Sequence, residues 1–156
     1  MARKYELITE LYRETQRSVT APQNWQRFLT AASYNYRLSF DEQLLVYAQR
    51  PDATAVLEIE RWNRQFGRWV NQGATGIAVF DGDHNGRSRL KHYFDISDTH
   101  ATRISRPVPI WRVAEEYAPD IIETLENSFG ELEDKSDLAA ALISAANNAV
   151  QDNMPD

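Results

Sequence analysis

Apolar positions in the first third of the chain recur with the period of an α-helix. A helix is predicted over residues 3–18, with one apolar face formed by Tyr5, Ile8, Leu11 and Tyr12. Capping-box patterns that begin at Thr20 and Ser39 predict the start of a second and a third helix. Pro51 is expected to end the third helix, because proline cannot continue a helical hydrogen-bond ladder.

The pattern then changes from helical to alternating. A fourth predicted helix begins after a cap at Thr54 and ends at Gly67. Strands are predicted at residues 68–71, 76–80 and 90–97, and the last of these is expected to pair antiparallel with the one before it.

The helical period returns near the end of the chain. It is predicted to begin at Ile110, and residues 130–136 form an acidic linker before a last helix. The apolar stripe of that last helix is formed by Leu138, Ala141, Leu142, Ala145 and Ala149. The predicted fold class is α+β: amphipathic helices packed on a small antiparallel β-meander, with C-terminal helices. We also expect the chain to continue into a longer protein that covers this stripe.

Composition places the chain among ordinary globular proteins. It has 156 residues, of which 42% are hydrophobic and 26% charged, and this suits one domain with an appendage. Its lack of cysteine excludes disulfides, thiolate metal sites and cysteine nucleophiles. Neither a membrane-spanning apolar run nor a signal-peptide pattern is present, so we expect a cytoplasmic protein without membrane partners.

Charge is distributed unevenly along the chain. Residues 1–112 contain 16 Lys and Arg against 12 Asp and Glu, whereas residues 113–156 contain 1 against 11. The net charges are therefore +4 and −10, which predicts a mildly basic domain over 1–112 and an acidic helical extension over 113–156. A partner that carries phosphates would be tolerated by the first region and repelled by the second.

Catalytic signatures are missing from the sequence. No zinc-protease, P-loop or nucleophile-elbow pattern occurs, and the three histidines, His84, His92 and His100, lie outside any metal-ligand spacing on a helix. We therefore expect a protein that is not an enzyme and needs no cofactor.

One loop has a weak resemblance to a calcium-binding loop. Asp81, Asp83, Asn85 and Gly86 match the first positions of an EF-hand loop, but His92 stands where the bidentate glutamate is needed. The alternative is a hairpin in which the Asn-Gly pair supplies positive φ angles, and we favour that interpretation.

Basic and aromatic residues alternate between positions 25 and 69. The arginines are Arg27, Arg37, Arg50, Arg61, Arg64 and Arg68. The aromatic residues are Trp25, Tyr34, Tyr36, Tyr47, Trp62, Phe66 and Trp69. Positive grooves with stacking aromatics bind single-stranded nucleic acid, but Trp25, Trp62 and Phe66 lie on helical core faces and are expected to be buried.

The order and spacing of motifs over residues 25–100 resemble one family. The matching positions are Ser39, Gln43, Leu44, Leu45, Gln49, Pro51, Ala53, Thr54, Trp62, Gly67, Arg68, Val70, Gly73, Gly76 and Ile77, followed by Tyr93-Phe94-Asp95-Ile96-Ser97-Asp98-Thr99. This pattern resembles the N-terminal single-stranded-DNA-binding domain of the ArdC-type antirestriction proteins of mobile elements. Such modules also begin large proteins of conjugative elements.

The chain departs from the family pattern at two places. Glu42 stands where the family has asparagine, and the loop Asn71–Gly76 lacks both lysines of the family's basic loop. We expect the backbone N–H groups around Gly73 and Gly76 to approach phosphate where side-chain charge is missing.

The resemblance implies a non-enzymatic, sequence-tolerant module for single-stranded DNA. The expected nucleic-acid-binding residues are Tyr36, Arg37, Arg61, Arg64, Arg68, Trp69, Gly73, Gly76 and Arg87. The arginines are expected to track phosphates, and Tyr36 and Trp69 to stack on bases. The alternative is a protein-interaction domain whose acidic arm, residues 115–137, binds a basic partner or mimics nucleic acid.

Overall fold

The chain divides into two compact units. A computed structural model describes residues 2–84 and 87–153, and at residues 2, 83, 84 and 87 it describes the backbone alone. The first unit covers residues 1–111 and the second covers 112–156. Their boundary lies one residue from the one predicted from charge, and the α+β fold class is confirmed.

Three helices begin the first unit: α1 (Ala2–Ser18), α2 (Pro22–Tyr34) and α3 (Phe40–Gln49). The predicted capping box at Ser39 is confirmed, because its hydroxyl accepts the N–H of Glu42 while the Glu42 carboxylate accepts the N–H of Ser39. The capping box predicted at Thr20 is wrong. The Thr20 hydroxyl donates instead to the last turn of α1, at the carbonyl of Arg17, and α2 begins at a proline without a side-chain cap.

The strands are short and separated by turns. They are β1 (Val56–Leu57), β2 (Arg68–Val70), β3 (Ile77–His84), β4 (Arg87–Asp95) and β5 (Thr99–Ala101). Helix α4 (Ile59–Arg61) continues into one π-helical turn, Trp62–Phe66, and Gly67 ends it with φ of +61°.

Two sequence predictions in this region are wrong. Thr54 does not cap α4, because Val56–Leu57 form β1 and α4 begins only at Ile59, with Glu58 at its N-cap position. The loop predicted to begin at Asp81 is instead strand, and β3 extends to His84 with a register shift between Phe80 and Asp83.

The strands form two small antiparallel sheets. The first has the order β1-β4-β3, and the predicted antiparallel pairing of the long hairpin strands is confirmed. The second is a two-stranded ribbon of β2 and β5, so β2 does not pair with β3, its neighbour in sequence.

The core of the first unit lies between α1, α3 and the three-stranded sheet. Its buried members are Ile8, Leu45, Val46, Ala53, Val56, Ile77, Ala78, Val79 and Tyr93. A second cluster, Val19, Phe28 and Leu44, joins α2 to α3. Burial of these side chains is the main stabilising contribution, at roughly 1.5–3 kcal/mol for each large apolar residue.

Polar residues of the family-like motif hold these elements together. The Gln49 side chain donates to the carbonyl of Ala78 at 2.8 Å and accepts its N–H at 2.9 Å, so it pairs α3 with β3 as a strand would. The indole N–H of buried Trp62 donates to the carbonyl of Phe94 at 2.8 Å. These contacts position α4 and the strands that follow it.

Asp95 joins the segment before β1 to the turn before β5. The carboxylate is 2% exposed, and its Oδ1 accepts the N–H groups of Thr54 at 2.9 Å and Ala55 at 3.1 Å. Its Oδ2 accepts the N–H and the hydroxyl of Ser97. Arg50 lies nearby and pairs with Asp98 in the same turn. The buried carboxylate therefore helps to fix the turn that connects the three-stranded sheet to the ribbon.

The second unit is a pair of helices. A 3₁₀ turn (Glu115–Tyr117) leads into α5 (Ala118–Phe129), and α6 (Leu138–Asp152) follows the acidic linker. The helix predicted from Ile110 begins only at Ala118, because Pro119 then occupies the first turn, where its missing N–H has no cost.

Two of the five residues in the predicted α6 stripe are buried. Ala141 and Ala145 are buried with Leu132 against α5, whereas Leu142 is 49% exposed. In the described part of the chain, no helix is both long and apolar enough to cross a membrane.

Candidate nucleic-acid interface

The β2–β5 ribbon presents two rings on one open face. Trp69 lies directly opposite His100, and residues paired across an antiparallel ladder share a face. Both side chains are exposed, Trp69 by 43%. The ribbon thus offers an indole and an imidazole side by side, with surface open to a flat ligand.

Arg68 braces the opposite face of the ribbon. Its Nε donates to the Thr99 hydroxyl at 2.8 Å, and its Nη2 donates to the Thr99 carbonyl at 3.2 Å. Two of its five N–H donors therefore hold the partner strand. Among the described residues, the other three donors form no hydrogen bond, so the predicted phosphate contact would have to use them.

His100 is a ribbon residue that sequence reasoning did not select. Its Nδ1 lies 2.7 Å from the amide oxygen of Asn71, so Nδ1 carries the proton and donates. This hydrogen bond fixes the imidazole next to the ribbon and attaches the loop after β2. The sequence carried no signal for His100, because the predicted meander did not pair β2 with β5.

Arg61 and Arg64 lie on the exposed side of α4 and its π-helical turn. Arg61 donates to Gln65 at 3.2 Å, and these residues line a shallow groove of about 350 Å³ together with Glu60 and Arg64. The groove is next to β2 in sequence, because the turn ends at Gly67 and the strand begins at once. Both predicted arginines are thus exposed at this groove, and Arg61 uses one of its donors on Gln65.

Tyr36 and Arg37 form a separate pair in the turn between α2 and α3. Tyr36 is 56% exposed, and the Arg37 guanidinium lies 5.6 Å from its ring centre and 3.2 Å from its hydroxyl. Arg37 therefore covers one face of the ring that was predicted to stack. Within residues 2–84 and 87–153, no hydrogen bond, ion pair or ring contact joins this pair to Trp69.

The two predicted loop glycines differ in their surroundings. Gly73 has φ of +83° in open space, as a phosphate approach requires. At Gly76 an added Cβ would lie 2.9 Å from the Cβ of His92 and 3.1 Å from the Phe94 ring. Close packing against β4 therefore accounts for Gly76, a reason different from the predicted phosphate contact.

The hairpin tip holds predictions that cannot be placed. The side chains of Arg87 and Asp83 and the whole of Asn85 lie outside the described residues, and Asp81 is half-buried in β3. In the part of the chain that is described, no cluster of three or more histidine or acidic side chains could hold a metal ion.

A polar cluster surrounds Glu42, the position that departs from the family pattern. The carboxylate accepts the Tyr93 hydroxyl at 2.9 Å and lies 3.2 Å from the Lys91 ammonium. Burial raises the pKa of Glu42, but hydrogen bonds from Ser39, Tyr93 and Lys91 outweigh it and hold the pKa below its ordinary value. Glu42 thus links the start of α3 to β4, and its role here is structural.

Comparisons with protein-family models, with curated proteins and with solved structures found no match to this chain. The resemblance to the ArdC-type domain therefore depends on the motif residues alone and stays a prediction.

Proposed function

We propose that residues 1–111 bind single-stranded DNA without catalysing a reaction, and that the open face of the β2–β5 ribbon is the contact surface. The observation that carries this proposal is the pair of exposed rings, Trp69 and His100, on adjacent strands. Unpaired bases stack on such rings, and each stacked base contributes roughly 1–3 kcal/mol.

The charge around the ribbon supports the same partner. Exposed Arg61 and Arg64 precede β2, and exposed Arg103 and Arg106 follow β5. Glu60 is the one acidic residue within residues 59–71 and 99–106. A strand whose bases stack on the rings would keep its phosphates among these arginines.

A single strand fits this surface better than a duplex does. The rings lie on a short two-stranded ribbon that offers stacking area, and a duplex exposes no base faces between its ends. Stacking tolerates any base, so binding should be independent of sequence. The resemblance to the ArdC-type domain supports this partner and a role in a protein of a mobile element.

The experiment is a titration of the Trp69→Ala variant with a fluorescent oligothymidine. We expect its dissociation constant to rise about 5- to 150-fold, the equivalent of the stacking energy of one base. Trp25→Ala is the matched control, because Trp25 is also a partly exposed indole (39%) but lies on α2. Equal loss in both variants would contradict the ribbon as the contact surface.

The acidic second unit favours a different candidate function, binding of a protein partner. Residues 113–156 carry a net charge of −10, and α6 exposes Leu142, Ile143 and Val150 on its surface. If the full chain fails to bind any oligonucleotide at low salt, this candidate replaces the first.

A further inference from the structure

A turn that sequence reasoning did not select is fixed to the end of the ribbon. Residues 102–106 directly follow β5, and they fold back onto Gly67, which directly precedes β2. The Thr102 and Ser105 hydroxyls both donate to the carbonyl of Gly67, at 2.7 and 2.8 Å. The N–H of Arg106 donates to the carbonyl of Phe66 at 2.9 Å.

The turn is also held from within. The N–H of Thr102 donates to the Ser105 hydroxyl at 2.7 Å, and the N–H of Ser105 donates to the Thr102 carbonyl at 3.2 Å. Gly67 allows this approach, because a Cβ there would lie 2.8 Å from the carbonyl oxygen of Ile104. The sequence positions 67, 102 and 105 thus act together to fix one short backbone segment.

Two arginines project from this fixed segment. Arg103 and Arg106 are both exposed, and in the described part of the chain neither forms a side-chain hydrogen bond or an ion pair. Arg50 is different, because Asp52 and Asp98 neutralise it. The two turn arginines therefore keep their full charge available to a ligand.

We propose that the turn of residues 102–106 is the phosphate-binding part of the nucleic-acid surface, with Arg103 and Arg106 as the contacting residues. This inference depends on the proposed function of the ribbon. Trp69 lies two residues from Gly67, a backbone distance of about 7 Å, so one strand can meet the rings and the turn together. Because the backbone is already fixed, little ordering is needed on binding.

The first test compares two double variants with equal charge change. Arg103→Gln/Arg106→Gln removes the turn charges, and Arg13→Gln/Arg17→Gln removes two exposed charges from α1. The loss of two phosphate contacts on a single strand makes the slope of log K against log salt less steep by about 1.4. At 0.1 M salt this corresponds to about 25-fold weaker binding. The α1 variant should change both far less.

A second variant tests whether the turn acts through its fixed backbone. Thr102→Val/Ser105→Ala removes both hydroxyl donors to Gly67 but keeps every charge. We expect severalfold weaker binding with an unchanged salt slope, since the same phosphates are contacted by a less ordered segment.

The outcomes separate this inference from the proposed function. If the unmodified chain binds oligothymidine and the two arginine variants lose affinity equally, the turn is not the phosphate site although the ribbon still binds DNA. If the unmodified chain does not bind at low salt, the proposed function itself fails. A loss confined to Arg103→Gln/Arg106→Gln, with the lower slope, supports the inference.

Discussion

Replacing Asp95 by asparagine tests how the ribbon is joined to the rest of the first unit. The substitution keeps the shape of the side chain but removes its charge and turns one oxygen into an NH₂ group. The buried carboxylate accepts backbone N–H groups on both oxygens, from Thr54 and Ala55 at one and from Ser97 at the other. The amide can satisfy only one of these two sides.

The expected loss of stability follows from the hydrogen bonds that the amide weakens or cannot make. The amide should keep its oxygen toward Thr54 and Ala55, where two charge-assisted hydrogen bonds become neutral and each weakens by about 1 kcal/mol. The N–H of Ser97 then faces another donor, and a buried unsatisfied donor costs about 1–3 kcal/mol. The free energy of unfolding should therefore fall by roughly 3–5 kcal/mol.

Urea denaturation followed by tryptophan fluorescence measures this loss. All four tryptophans, Trp25, Trp62, Trp69 and Trp111, lie within residues 1–111, so the signal reports on the first unit. With a slope near 2 kcal/mol/M, the urea midpoint should fall by about 2 M.

The control is Asp52→Asn, which also removes a carboxylate next to Arg50. Its side chain is 77% exposed, so its free energy of unfolding should change by less than about 0.5 kcal/mol. Equal midpoints for the two variants would refute the role assigned to Asp95.

Three further predictions concern pH, backbone and charge. Because the folded-state pKa of Glu42 is lowered, its contribution is complete above the unfolded value near 4.3 and disappears as pH falls through the folded value. Between pH 5 and pH 3, the free energy of unfolding measured by urea titration should therefore fall less for Glu42→Gln than for the unmodified chain. An equal fall in both proteins would contradict this. Gly67→Ala should lower the melting temperature more than Gly73→Ala, since both have positive φ but only Gly67 faces a carbonyl oxygen at 2.8 Å; equal shifts would argue against the close approach. Glu115→Gln/Glu116→Gln should tighten oligothymidine binding at low salt, because it removes repulsion from the acidic unit, and a gain that persists at 0.5 M salt would exclude this cause.

Local patterns predicted the helices well because their signals are short-range. The Ser39 capping box and the helix end at Gly67 were both visible as residue types at fixed spacing. Thr20 shows the limit of such reasoning, since a hydroxyl can serve the end of one helix as easily as the start of the next. Thr54 failed because the residues after it pair with β4, a strand more than 30 residues away, and delay the helix to Ile59.

The candidate surface depended on a pairing that local patterns do not encode. Residues 68–71 were recognised as a strand, but their partner is β5, 31 residues along the chain, and not β3. His100 and the turn arginines became visible only once that pairing was known. The contact of Asp95 with Thr54 and the hydroxyl donors to Gly67 are likewise long-range contacts that leave no periodic signal.

The most direct test of the central claim is a titration of the full chain with labelled oligothymidine of about 20 nucleotides and with a duplex of equal length. Fluorescence anisotropy at low and moderate salt reports both affinities. The account predicts binding that favours the single strand and weakens steeply with salt. Absence of binding at low salt, or equal affinity for the duplex, would contradict it.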